Sequence, residues 1–252
     1  MIEFRPLLWT SASAALLLAA CGGEGGGKSA AGEGGEAAAA SSAPAEAAGE
    51  GGEGAGGEGG EAGAAGAYAA TPAASKPALH VAQLKGFFLI AQRQTEGADA
   101  AAALAGQGLL EAYDTEKAVF QRLGANEAVL RKAAQTGAPA ELKAAIAELD
   151  RLQAKAGGDP AAVARGLVSI ASGLYGNVEH EGVVDAIEYQ HALGAALSAQ
   201  DLLAKAADPR AKAAKPQVDR LIALFPAPQA PEKITPKAQV LAQASRAELE
   251  LG

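Results

Sequence analysis

The spacing of apolar residues in the second part of the chain predicts α-helices. Leu84, Phe87, Phe88 and Ala91 stand at positions i, i+3, i+4 and i+7, which places them on one face of a helix. The same or a similar spacing recurs at Leu142, Ala145, Ile146 and Leu149, at Val163, Leu167, Ile170 and Leu174, and at Val218, Leu221, Ile222 and Phe225. Alanine, a strong helix former, is abundant between them, and no stretch alternates as a strand does. The sequence therefore predicts an all-α fold, an irregular bundle of about seven to nine helices.

Prolines and glycines mark where these helices begin and end. Asp159-Pro160, Asp208-Pro209 and Thr235-Pro236 each place a capping side chain before a proline at the first helical position. We predict helices over 78–96, 99–112, 115–123, 126–136, 139–156, 160–174, 182–207, 209–224 and 236–250. The segment 225–236, "FPAPQAPEKITP", contains four prolines and should cross the surface in an extended form.

The first part of the chain has a very different composition. Residues 22–75 contain 18 of the 32 glycines, eight glutamates and one lysine, with almost no large apolar side chain. Such a segment cannot bury enough surface to offset the loss of chain entropy, so we predict a disordered tether over 21–75. Residues 76–252 are then a single helical domain.

The N-terminus resembles that of an exported lipoprotein. Residues 1–20 contain an apolar run too short to span a bilayer, and it closes on Leu18-Ala19-Ala20-Cys21, which resembles the lipobox of bacterial lipoproteins. The resemblance implies a signal peptide over 1–20, cleavage before Cys21 and acylation of its thiol, which would anchor the protein in a membrane. Gly22 lacks the usual inner-membrane retention signal, which favours the outer membrane and leaves its periplasmic or surface face open. The alternative is a free cysteine behind an ordinary signal peptide.

Charge and motifs narrow the classes of function. The tether holds seven of the eight net negative charges, so the body is close to neutral, and the acidic balance argues against nucleic acid as a partner. The sequence has no G-x-S-x-G, H-E-x-x-H or phosphate-binding loop, and after acylation it has no free thiol. We therefore expect no enzymatic activity and no cofactor other than a divalent metal.

One stretch, "EHEGVVDAIEYQHALG", carries the candidate metal ligands. Glu188 and His191 form a Glu-x-x-His pair that shares a helix face, and Glu181 and Asp185 precede it at helical spacing. One helix face supplies at most two or three ligands, so a further ligand must come from another helix. The alternative is a solvated acidic face with a histidine at its rim.

Three other polar residues invite a structural explanation. Gln190 falls inside the apolar arc of Val183, Ile187, Gly194 and Leu197, which predicts a buried amide that is hydrogen-bonded to a neighbouring helix or lines a ligand cavity. His80 stands one turn before Leu84 and is interpreted as a boundary residue that caps its helix. His180 falls in a loop and should be exposed.

Three segments resemble a little-characterised family of exported all-helical proteins of Gram-negative bacteria: "HVAQLKGFFLIA" (80–91), "LLEAYD" (109–114) and "YGNVEHEGVVDAIEYQHALGAA" (175–196). The family pattern has Gly-His-Leu, then His-x-x-His-Pro before a glutamate, then Glu-Tyr-Gln-Asp-Ala-Arg-Gly. This chain matches it at Gly86, Glu111, Glu188, Tyr189 and Gln190. Because Glu111 belongs to this retained pattern, the resemblance makes it the candidate for the further metal ligand beside Glu188 and His191. It has Phe87, Leu104, Gln107 and Gly108 where the family has His or Pro, so the resemblance implies a shared scaffold without the family's histidines. Imelysin-like iron-uptake lipoproteins are a looser comparison, because their G-x-H-x-x-E motif is missing here.

Two functions fit these observations. The first is a non-catalytic envelope lipoprotein whose helical domain binds a small ligand or an envelope protein at the end of a leash. The second is a periplasmic metal-binding or metal-delivery protein that uses Glu188 and His191.

Overall fold

The computed structural model describes residues 58–252, with side chains from residue 64 onward. Ten α-helices occur in this range: α1 Glu58–Ala70, α2 Lys76–Gln92, α3 Ala98–Gly108, α4 Lys117–Arg122, α5 Glu127–Thr136, α6 Pro139–Ala156, α7 Pro160–Tyr175, α8 Ala186–Lys205, α9 Pro209–Ile222 and α10 Lys237–Leu251. A 3-10 turn (Ala73–Ser75), a π-helix (Leu109–Asp114) and two short strands, β1 (Glu179–His180) and β2 (Val183–Val184), complete the described elements. The predicted all-α bundle is confirmed. No helix in this part of the chain has both the length and the apolarity that a bilayer crossing requires.

The capping residues place several boundaries where the sequence predicts them. Asp159 accepts a hydrogen bond from the Ala161 amide at 3.0 Å, and Asp208 accepts one from the Arg210 amide at 2.7 Å. Each carboxylate thus satisfies one of the amides that the first turn leaves without a partner. Helix α6 spans the predicted residues, and the proline-rich residues after α9 form turns and irregular structure.

The helical body begins earlier than predicted. The sequence assigns 58–75 to the disordered tether, but α1 and the 3-10 turn occupy most of this range. Ala67 and Thr71 are buried, and Tyr68 stacks on His80 of α2 at a ring-centroid distance of 4.3 Å. This packing outweighs the low helix propensity of a glycine-rich segment. The signal peptide, Cys21 and the rest of the tether lie outside the described residues.

Helix α8 begins later than predicted. Residues 182–185 do not extend it, because a hairpin joins β1 to β2, with Glu179 opposite Val184 and His180 opposite Val183. The two turn residues, Glu181 and Gly182, have φ angles of 52° and 81°. Such angles suit a two-residue hairpin turn and are incompatible with a helix. Asp185 then caps α8 by accepting hydrogen bonds from the amides of Ile187 and Glu188.

Two glycines set how closely α2 and α8 approach. A Cβ atom added at Gly86 would lie 2.7 Å from the carbonyl oxygen of Gly194, and one added at Gly194 would lie 2.8 Å from that of Gly86. The two backbones therefore touch where the helices cross. This contact places the residues next to Gly86 on α2 beside the first turns of α8, where the candidate site lies.

Candidate functional site

A cleft of about 1010 Å³ contains the candidate residues. Its walls come from α1, α2, α7, the π-helix that follows α3, the hairpin and the start of α8. All three histidines of the chain line it, together with the acidic residues Glu111, Glu116, Asp185 and Glu188 and the single lysine Lys76. The volume is at the upper end of the range for pockets that bind small molecules.

His191 is the most enclosed polar residue of the cleft. It is 8% exposed, and Phe87 meets its ring edge-on at a centroid distance of 4.6 Å. Its Nδ1 lies 3.7 Å from Oε2 of Glu111, while within the described part of the chain its buried Nε2 has no hydrogen-bond partner. Burial lowers the pKa of His191 to about 4 despite the opposing effect of Asp185, so the ring is neutral at pH 7.

Glu188 is the second group with an unmet hydrogen-bonding atom. It is half-buried, and its Oε2 is buried without a hydrogen-bond partner among residues 64–252. Burial raises the pKa of Glu188, and the neighbouring carboxylates of Asp185 and Glu111 raise it further. A buried polar atom without a partner costs about 1–3 kcal/mol, so two of them in one cleft call for an explanation.

The π-helix brings Glu111 to this cleft. It continues α3 directly after Gly108, where an added Cβ atom would lie 2.5 Å from Cβ of Phe87. Glycine at 108 therefore allows Phe87 to pack between α3 and α8. Short π-helical segments are often found at functional sites, and this one carries the predicted partner of His191. The expected meeting of Glu111 with His191 is thus present.

The other two predicted metal ligands are not part of this arrangement. Glu181 is exposed in the hairpin turn, and the Asp185 carboxylate already accepts two amide hydrogen bonds as the cap of α8. The prediction that both continue the face of Glu188 and His191 fails, because the helix starts only at Ala186. No group of three or more His, Cys, Asp or Glu residues is positioned for a metal ion within the described residues.

Gln190 does not occupy the predicted buried position. It is half-buried, and no hydrogen bond of its amide is found within residues 58–252. Two of the four residues that define the predicted apolar arc, Val183 and Ile187, are 70% and 51% exposed. Val183 lies in the hairpin and Ile187 in the first turn of α8, so neither reports the buried side of the helix.

The other two histidines lie at the border of the cleft. His80 does not cap its helix as predicted. It stacks on Tyr68, whose hydroxyl donates to Oε1 of Gln83, and burial lowers the pKa of His80. His180 is exposed in β1, as predicted. Only the position of α1, which the sequence does not reveal, brings Tyr68 and His80 into the same cleft.

Sequence reasoning missed a second polar cluster where α2, α6 and α8 meet. Nζ of Lys85 donates to the carboxylates of Asp150 and Asp201, and Lys205 donates to the same two at 2.8 and 2.9 Å. Lys85 is only 3% exposed, and the cluster borders a smaller cavity of about 410 Å³. The only signal in the sequence is one lysine inside an apolar run, since its partners are 65 and 116 residues away. We call these four residues the Lys85 cluster.

Comparisons with protein-family models, with curated proteins and with solved structures find no match to this chain. The family resemblance described above therefore stays a prediction. Four positions of its pattern, Phe87, Gln107, Glu111 and Glu188, nevertheless line the same cleft.

Proposed function

We propose that this protein is a non-catalytic lipoprotein of the cell envelope whose helical body binds a ligand in the cleft. The observation that carries the proposal is a pair of buried atoms, Nε2 of His191 and Oε2 of Glu188, that have no hydrogen-bond partner among residues 64–252, beside a cleft of about 1010 Å³. A ligand that supplies their missing hydrogen bonds would remove the cost of leaving them unmet.

The membrane anchor in this proposal is acylated Cys21, and the chain between it and α1 serves as the leash. The lipobox-like sequence and the change in composition after Cys21 support this part. We expect Cys21→Ser to move the protein from the membrane fraction to the soluble periplasmic fraction of fractionated cells. Retention of Cys21→Ser in the membrane would remove the lipoprotein part of the proposal.

The binding part is tested by a thermal-shift screen of the purified full chain against a library of metabolites, metal ions and envelope components. A ligand that binds the folded state raises the melting temperature, and the rise grows with the ratio of its concentration to its dissociation constant. We expect at least one class of ligand to do so in the wild type and to lose its effect in Glu188→Gln. Glu250→Gln, an exposed change of equal charge in α10, is the control. A library without any Glu188-dependent shift would contradict the proposal.

A divalent metal is the second candidate, favoured by the 3.7 Å approach of Glu111 to His191. Glu188, His191 and Glu111 would supply carboxylate and imidazole ligands after a modest shift of side chains. Calorimetric titration with Fe(II), Zn(II), Mn(II) and Cu(II) tests it, with His191→Ala as the variant. Dissociation constants above about 0.1 mM for all four, or tight binding that survives His191→Ala, would exclude this candidate.

A further inference from the structure

The cleft is strongly acidic although the body as a whole is nearly neutral. Four carboxylates line it, those of Glu111, Glu116, Asp185 and Glu188, against the single ammonium group of Lys76. A concave surface lined with one sign of charge concentrates the field and attracts ligands of the opposite sign. The electrostatics of the cleft therefore favour a cation.

The buried groups specify what kind of cation. The carboxylate of Glu111, 3.7 Å from Nδ1 of His191, favours the tautomer that carries its proton on Nδ1, which leaves Nε2 as a hydrogen-bond acceptor. The side chain of His191 is 6% exposed, and this Nε2 has no partner among the described residues. Oε2 of Glu188 is a second acceptor without a partner in the part of the chain that the structure describes. Two unmet acceptors call for a ligand that donates hydrogen bonds.

The remaining walls separate an organic cation from a metal ion. Phe87, Ile170, Leu174 and Ile187 add apolar surface between the acidic groups. The carboxylates also come from different walls of the cleft: Glu116 precedes the first residue of α4, whereas Asp185 and Glu188 lie at the start of α8. Charges distributed over a large, partly apolar cleft match spaced ammonium groups joined by methylene segments better than a point charge.

We infer that the ligand of the cleft is an aliphatic polyamine, with one ammonium group donating to Glu188 and His191 and its methylene chain lying against Phe87. This inference rests on the proposed function, because it names the chemical class of the ligand that the cleft binds. Glu116, which lines the cleft from the start of α4, binds a second ammonium group.

Calorimetric titration of the purified full chain in a mild detergent tests the inference. The probes are spermidine and cadaverine, with 1,5-pentanediol as the uncharged analogue of cadaverine, glutarate as an anion, and Zn(II) and Mn(II) as metal ions. We expect spermidine to bind with a dissociation constant below about 100 µM and to weaken at least about tenfold in about 0.5 M NaCl, because salt screens the attraction. The diol and glutarate should give no binding heat.

Variants locate the site. Glu188→Gln should weaken spermidine binding by about tenfold or more, and Glu116→Gln should weaken it by a smaller factor. Glu250→Gln removes the same charge from the exposed end of α10 and should leave binding unchanged. Thermal melts followed by circular dichroism show whether each variant is folded. If Glu188→Gln does not fold, Glu116→Gln alone tests the inference.

Three results would overturn the inference. They are no binding of either amine, binding of spermidine by both cleft variants as tight as by the wild type, and binding of the diol as tight as that of cadaverine. If Zn(II), Mn(II) or glutarate binds in a Glu188-dependent manner while the amines do not, the polyamine inference fails and the proposed binding function stands. If no ligand of the broader thermal-shift library binds either, both fail.

Discussion

Lys85 and His191 are both buried polar residues near the crossing of α2 and α8, yet their surroundings differ. Lys85 donates to two aspartates, and a second lysine completes a neutral cluster. His191 and its neighbour Glu188 each retain a buried atom without a hydrogen-bond partner among the described residues. Removing one partner from a buried, fully paired group destabilises the fold, whereas a buried group with unmet hydrogen bonds already lowers the stability of the folded state. The contrast distinguishes the Lys85 cluster from the cleft that we propose binds a ligand.

The largest effect is expected where the Lys85 cluster is broken. Lys85→Met leaves the Asp150 and Asp201 carboxylates with Lys205 alone, and removal of one partner from a buried ion pair costs about 4 kcal/mol in the free energy of unfolding. Lys205→Met is the matched control: its side chain is about half exposed, so it should cost about 1 kcal/mol or less. Urea unfolding measures both variants. Equal losses in the free energy of unfolding would show that the burial of Lys85 does not add to its effect on stability.

The second effect concerns the titration of His191. The unfolded chain titrates this ring near pH 6.5, whereas burial holds its pKa at about 4 in the folded protein. The unfolded state therefore binds more protons between these values, and the free energy of unfolding falls by about 3 kcal/mol as the pH is lowered from 6.5 to 4.

We expect His191→Gln to lack this loss of stability. The neighbouring carboxylates are the same in both proteins, so the difference between the two pH profiles isolates the imidazole. Urea unfolding at a series of pH values gives these profiles. Parallel profiles for wild type and His191→Gln would mean that His191 is not buried as a neutral ring.

A third, smaller effect tests the glycine contact that brings the two regions together. Gly86→Ala would place a Cβ atom 2.7 Å from the carbonyl oxygen of Gly194, and forcing α2 and α8 apart should cost about 2 kcal/mol. Gly106→Ala is the control, since nothing lies within 4 Å of the added atom in α3, and it should stabilise the protein by up to about 1 kcal/mol. Thermal melts compare the two, and the same change in both would contradict close packing at the crossing.

What the sequence predicts well is local. The caps at Asp159 and Asp208 fix helix starts because the capping bonds join residues two apart. Helix α1 could not be predicted, because its glycine-rich sequence is helical only through packing on distant elements. Gln190 was misplaced because a hairpin interrupts the periodic pattern before α8.

At the candidate site, too, the sequence predicts local features and misses long-range contacts. The Glu-x-x-His pair is predicted from residue type and helical spacing, whereas Glu111 is predicted only through the family resemblance, because it lies on a different element. The Lys85 cluster and the walls formed by Tyr68 and His80 were missed, because they depend on contacts across the whole bundle. The sequence places Phe87 on an apolar helix face and marks it as a departure from the family pattern, but it does not predict that Phe87 packs directly against His191.

The smallest expected effect tests the central contrast most directly. In urea unfolding at neutral pH without ligand, Glu188→Gln should change the free energy of unfolding by less than about 1 kcal/mol, or raise it, because the change removes a buried charge that lacks a full set of partners. Lys85→Met, measured beside it, should lose about 4 kcal/mol. A loss in Glu188→Gln as large as that in Lys85→Met would contradict the account, because Glu188 would then serve the fold rather than a ligand.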